Sequence, residues 1–87
     1  MPQQPARAFL VSNPLAAPSP GELAGVERAL QLACSRSDAS GTPIRLLATG
    51  YLPAQQRWLG LLLADDPEAV SRVAAVAQLV TSRVVEV

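Results

Sequence analysis

The 87-residue chain contains no histidine and no lysine, and its single cysteine is Cys34. Without histidine, the chain lacks the side chain that most often acts as a general acid or base near neutral pH and as a metal ligand. A single cysteine excludes an internal disulfide and any thiolate cluster around zinc or iron–sulfur. The composition therefore argues against the commonest metal-dependent and acid–base chemistries, and we expect neither a metal site nor a cofactor.

Charge is balanced and evenly spread, with seven arginines, seven acidic residues and a formal net charge of zero. Proteins bind nucleic-acid backbones through clustered cations, and these arginines occur singly along the chain. Phe9, Tyr51 and Trp58 are the only aromatic residues, so few surfaces exist on which bases can stack. We therefore expect no nucleic-acid partner.

Long apolar segments are also missing. The longest apolar run is Trp58–Ala64, whereas a membrane-spanning helix needs about 20 residues. The N-terminus begins Met1-Pro2-Gln3-Gln4-Pro5 and has no basic segment followed by an apolar stretch, so no secretory signal is evident. These features predict a cytoplasmic protein with no membrane partner.

The length is enough for one hydrophobic core and too short for two. Leu, Ile, Val and Phe account for 24 of the 87 residues, which lies above the roughly 20% below which chains tend to be disordered. The proline-containing start lacks hydrophobic periodicity. We expect residues 1–6 to form a disordered tail and residues 7–87 to form a single domain.

Hydrophobic periodicity and helix-start signals predict six elements. Ser19 and Glu22 form a capping box with Pro20 at the first helical position, and Asp66 with Pro67 gives a second helix start. Alternating or continuous apolar stretches indicate the strands. The predicted elements are a strand over 8–12, a helix from 20 to about 36–38, strands over 44–52 and 57–64, a helix from 67 to about 78, and a strand over 83–87.

The order strand–helix–strand–strand–helix–strand is that of the ferredoxin-like sandwich. Two strand–helix–strand units joined by a hairpin give a four-stranded antiparallel sheet. Right-handed crossovers place both helices on one face of that sheet, with the first and third strands in its centre. We therefore predict an α+β fold of the βαββαβ type.

The third strand predicts self-association, because it is apolar on both faces. Leu59, Leu61 and Leu63 lie on one side, and Trp58 and Leu62 lie on the other. A sheet with helices on one face and water on the other alternates apolar and polar residues. We expect Trp58 and Leu62 to lie on the face away from the helices, and a second copy of the chain to cover them in a homodimer formed through the sheet.

Four residues near the hairpin are the candidate ligand-binding residues. Arg45, Thr49 and Tyr51 alternate along the second strand and share its less apolar face. If the hairpin register brings Tyr51 beside Trp58, these two residues with Arg45 and Thr49 surround a pocket. The pocket exists because Gly60 has no side chain to fill it. Such a pocket suits a small anionic or aromatic molecule. The alternative interpretation has Arg45 at the sheet edge, with Tyr51 and Trp58 packed in the dimer interface.

Two other candidate sites have simpler structural interpretations. Cys34 lies on the apolar stripe of the first helix, where a free cysteine packs as a small hydrophobic residue. Asp65, Asp66 and Glu68 supply too few oxygens for a hard cation, and a helix cap with a dipole complement explains Asp66 and Glu68. We assign no catalytic or metal-binding role to these residues.

Residues 8–87 resemble a family of small bacterial ferredoxin-like α+β domains, mostly of unknown function, that includes a nickel-binding member. The resemblance implies a dimer. It carries over no nickel ligand, because the chain has no histidine and has Ser12 where many relatives have an acidic residue. The matching segments are Phe9-Leu10-Val11, Ser19-Pro20-Gly21-Glu22-Leu23, Gly41-Thr42-Pro43-Ile44-Arg45, Tyr51-Leu52-Pro53, Trp58–Val70 and Val84-Val85-Glu86.

These observations favour a non-catalytic, small dimeric domain that binds a small ligand at or near the dimer interface. The alternative is a cofactor-free enzyme of the dimeric α+β barrel type, in which two sandwiches enclose a substrate. A third interpretation is a regulatory module like the amino-acid-binding domains that share this element order. The chain has no nucleophile–base pair at a recognisable spacing, which favours the first interpretation.

Overall fold

The computed structural model describes residues 7–79 and 82–87 and contains four strands and two helices. The predicted tail, residues 1–6, lies outside the described residues. The elements are β1 (Arg7–Pro14), α1 (Pro20–Ala39), β2 (Ile44–Leu52), β3 (Arg57–Ala64), α2 (Pro67–Val76) and β4 (Arg83–Glu86).

The four strands form one antiparallel sheet in the order β2-β3-β1-β4. With both helices packed on one side, this is the predicted ferredoxin-like α+β fold. β1 is longer than predicted, since Asn13 and Pro14 still pair with Trp58 and Arg57. Proline is tolerated there because the end of a strand does not need its missing N–H.

Both helices begin where the capping signals predicted. The Glu22 amide donates to Ser19 Oγ over 3.1 Å, and the Ser19 amide donates to Glu22 Oε1 over 3.3 Å. At α2, the Ala69 amide donates to Asp66 Oδ1 over 2.8 Å. These caps satisfy amides that have no partner inside the helix. Within the described part of the chain, no helix is both long and apolar enough to cross a membrane.

The two faces of β3 are assigned in the opposite way to the prediction. Trp58, Leu62 and Ala64 are buried beneath the helices, whereas Leu59 and Leu61 are half-buried on the other face. The prediction that Trp58 and Leu62 lie away from the helices was therefore wrong. The physical reason is size, because the indole ring removes the largest apolar area from water when it packs against the helix layer.

A β-bulge in β2 changes which of its side chains share a face. Leu46 pairs with Leu62, and the next pair is Ala48 with Leu61, so Leu47 is an extra residue on β2. Leu47 is 48% exposed. Because side chains alternate along a strand, one extra residue moves every later side chain to the other face. The predicted face assignment therefore fails beyond Leu46.

The core lies between the sheet and the two helices and is built around Trp58 and Gly60. The largest fully buried side chains besides Trp58 are Phe9, Leu30, Leu62, Val11 and Val70. A Cβ added at Gly60 would lie 2.8 Å from Trp58 Cη2 and 3.0 Å from its Cζ3. The indole ring therefore lies directly over Gly60, and only glycine leaves room for it.

Salt-bridged side chains join the strands at the two ends of the chain. Arg7 Nη2 lies 2.6 Å from Glu86 Oε1, and Arg7 Nε donates to Glu86 Oε2 over 2.9 Å. The Arg7 guanidinium also lies 5.3 Å from the centre of the Phe9 ring. Its hydrogen bonds to Glu86 lower the pKa of that carboxyl. This bidentate pair links β1 to β4 at the edge of the sheet.

Cys34 belongs to the core, on the buried side of α1. Its side chain is 4% exposed and contacts the same cluster as Leu30 and Trp58. Burial raises the pKa of the thiol from 9.0 to about 11, because the anion is poorly solvated there. The structural interpretation of Cys34 fits this position.

We expect Gly60→Ala to destabilise the fold by about 1–3 kcal/mol, the usual cost of overpacking a core. The new methyl group must displace the buried Trp58 ring. Gly25→Ala is the matched control, since a Cβ at Gly25 meets nothing within 4 Å. That change should instead stabilise α1 by about 0.5–1 kcal/mol. Urea denaturation at equal protein concentration measures both, and equal stabilities for the two variants would contradict this packing.

The Cys34 thiol should react with iodoacetamide roughly 100-fold more slowly in the native chain at pH 8 than in urea, since only the thiolate reacts. Its raised pKa also has a consequence for stability. The contribution of the neutral thiol is fully present below pH 9 and is lost as the pH rises through about 11. Mass spectrometry of the alkylated protein measures the rate of Cys34 alkylation in the native and in the unfolded chain. Native and unfolded rates that agree would place Cys34 at the surface.

Candidate functional site

The face of the sheet away from the helices, here called the open face, is apolar at its centre. Strand register assigns side chains to it, because directly paired residues of antiparallel strands lie on the same face. Leu61 pairs with Leu10 and with Ala48, and Leu10 pairs with Val85. The apolar centre of the open face consists of Leu10, Leu59, Leu61, Leu63 and Val85.

No element among the described residues covers the open face. Val85 is 48% exposed there, and Leu52 at the end of β2 is 39% exposed. In the two central strands, β1 from Phe9 onward and β3, the residues on the helix side are buried. The prediction that β3 is apolar on both faces is therefore confirmed, with Leu59, Leu61 and Leu63 on the open face.

The structure divides the four predicted ligand-binding residues between the two faces. Arg45 is exposed and pairs with Leu63, which places it on the open face. Thr49 and Tyr51 follow the bulge and lie on the helix side with Trp58. The predicted neighbour relation between Tyr51 and Trp58 is confirmed, since they are direct partners in the hairpin. The four residues do not form one cluster.

The predicted room over Gly60 is filled. The Trp58 ring occupies it, and Leu30 Cδ2 lies 3.5 Å from the position of an added Cβ. The Tyr51 hydroxyl donates to the carbonyl of Leu15 over 2.5 Å, so it holds the loop after β1. Tyr51 and Trp58 therefore have structural roles on the helix side.

A polar corner of the open face was not among the predicted site residues. Arg57 Nε donates to Ser12 Oγ over 2.8 Å, across the pairing of β3 with β1. Ser12 pairs with Arg83 of β4 on its other side. We call Arg57, Ser12 and Arg83 the arginine corner. The sequence gives no direct signal for it, because Ser12 and Arg57 become neighbours only through the register of β1 with β3.

The acidic residues between β3 and α2 do not form a metal site. Asp66 caps α2 through its bond with the Ala69 amide. The carbonyl of Asp65 accepts from Arg7 Nη1 over 2.9 Å. Among the residues that the structure describes, no three or more His, Cys, Asp or Glu side chains are grouped to hold a metal ion.

The comparisons with known proteins establish the fold alone. No protein-family model and no curated protein matches the chain. A crystal structure of SCO4226 from Streptomyces coelicolor A3(2) is similar, with a TM-score of 0.77 over 92% of this chain and 94% of that one. The sequence identity is 17%, so the similarity extends to the α+β fold and no further.

Proposed function

We propose that this chain is a non-catalytic domain that forms a homodimer through its open face and holds a small molecule at that interface. The observation that carries the proposal is the uncovered leucine centre of the open face. Monomeric proteins rarely leave contiguous apolar patches of this kind in water. Covering the patch with a second copy removes its apolar area from solvent.

The size of the open face supports a second copy as its occupant. The strands contain 8, 9, 8 and 4 residues in chain order. At roughly 3.3 Å per residue and about 4.8 Å between strands, they give a footprint of roughly 460 Å². Two such faces give roughly 900 Å² in total, close to the roughly 1,000 Å² that a specific interface needs. The estimate is a flat footprint, and side-chain relief increases the accessible area.

Symmetry and charge also favour pairing of identical faces. In a twofold dimer, the row of leucines on β3 (Leu59, Leu61 and Leu63, here called the leucine row) faces the same row of the second copy. The same surface patch then forms both sides of the interface. The apolar centre and the arginines at its margin match the usual arrangement of interfaces, which have an apolar core and a polar rim. Zero net charge means that two copies do not repel each other as wholes.

A non-catalytic role is supported by the structural use of the groups that could react. Cys34 is buried in the core with its pKa raised to about 11. The Tyr51 hydroxyl donates to a backbone carbonyl. The Asp66 carboxylate accepts from the Ala69 amide at the start of α2. Each of these groups stabilises the fold, and none is positioned on the open face.

Sedimentation velocity tests the dimer directly. At high micromolar concentration the wild-type chain should sediment with twice the mass of one chain. Leu61→Glu should give a folded monomer, because it puts a carboxylate in the centre of the open face at the cost of burying a charge. Leu32→Glu is the matched control, since Leu32 lies on α1 and is 51% exposed.

The control variant should sediment as the wild type does, and circular dichroism checks that both variants are folded. A wild-type chain that is monomeric at this concentration would overturn the proposal. So would a Leu61→Glu variant that is folded and remains dimeric.

A further inference from the structure

The arginine corner has one arginine on each side of Ser12, on the open face of the sheet. Ser12 separates Arg57 from Arg83, being hydrogen-bonded to the first and paired directly with the second. Directly paired residues have Cβ atoms about 4.5–5.5 Å apart, which places Arg83 beside Ser12. Arg57 pairs with Pro14 and reaches Ser12 through its 2.8 Å hydrogen bond. Arg57 Nε is engaged with Ser12, and a guanidinium has further N–H donors on its two Nη groups.

The strands bring no carboxylate to the open face. Glu86 is the only acidic residue in the four strands, and it pairs with Phe9 on the helix side, where it binds Arg7. In the described chain the Nη groups of Arg57 have no acceptor. The strands of a second copy would likewise present arginines and no carboxylate on their open face.

Formation of the dimer would increase the desolvation cost of the Arg57 guanidinium. Its side chain is already half-buried at the end of a central strand. Further burial removes water from the guanidinium, and a buried charge is tolerated only when it is paired. A bound anion would supply the counter-charge that the strands do not.

The surroundings of the corner define the rest of that molecule. Ser12 also pairs with Leu59, and the leucine row continues through Leu61 to Leu63. An anionic group on the corner therefore has apolar surface directly beside it. A planar carboxylate suits two guanidinium groups and a hydroxyl, because each can donate to its oxygens.

We propose that Arg57, Ser12 and Arg83 bind the headgroup of a small anionic amphiphile, of the medium-chain carboxylate class, whose apolar tail lies along Leu59, Leu61 and Leu63. This inference rests on the proposed dimer, which encloses the tail between two leucine rows. It places the ligand on the open face and away from Tyr51 and Trp58.

Isothermal titration with decanoate tests the inference on the wild-type chain. Decanoate should bind, whereas acetate, which lacks the tail, and 1-decanol, which lacks the charge, should each bind at least about tenfold more weakly. Arg57→Gln and Arg83→Gln should each weaken decanoate binding by about tenfold. Arg28→Gln on the exposed surface of α1 removes the same charge elsewhere and should change nothing.

The outcomes separate this inference from the proposed function when sedimentation is measured on the same samples. A wild-type dimer that does not bind decanoate overturns the ligand class and leaves the dimer intact. Equal binding of decanoate and 1-decanol overturns the headgroup site, as does equal weakening by Arg57→Gln and Arg28→Gln. A monomeric wild type overturns both the dimer and the enclosed tail, even if decanoate adsorbs to the corner.

Discussion

The structure depends on one strand that is apolar on both of its faces in a chain that has a single layer of helices. β3 buries Trp58 and Leu62 against α1 and α2, and it presents Leu59, Leu61 and Leu63 on the opposite side. The two helices can cover only one face of the sheet. The hydrophobic effect acts on both faces alike, so the apolar surface of the open face is the basis of the proposed association.

Most of the fold could be predicted because local signals agree with the global arrangement. Ser19 and Asp66 each cap a helix with a proline after them, and both helices begin as expected. The assignment of faces was harder. An alternating pattern identifies the buried side of a strand, but β3 has no such pattern. Which face of β3 packs against the helices is determined by the size of Trp58, and this becomes visible only in the folded structure. The bulge between Leu46 and Ala48 reverses the later face assignments on β2, and no sequence signature marks it.

The candidate site was predicted only in part, and for the same reason. Arg45 lies on the open face, but the bulge separates it from Thr49 and Tyr51. The arginine corner depends on contacts between residues far apart in the chain, since Arg57 and Ser12 are 45 positions apart. Spacing along the sequence does not reveal such a pair unless the strand order and the register are both known. The order was predicted correctly, and the register was the missing quantity.

An isotope-filtered nuclear Overhauser experiment tests the central claim most directly. One sample mixes chains labelled with ¹³C and ¹⁵N with unlabelled chains, so that only contacts between two copies give signals. Pairing through the open face predicts intermolecular signals from the methyl groups of Leu10, Leu59 and Leu61. Signals that arise instead from α1, for example from Leu32, or an absence of intermolecular signals at high micromolar concentration, would contradict the account.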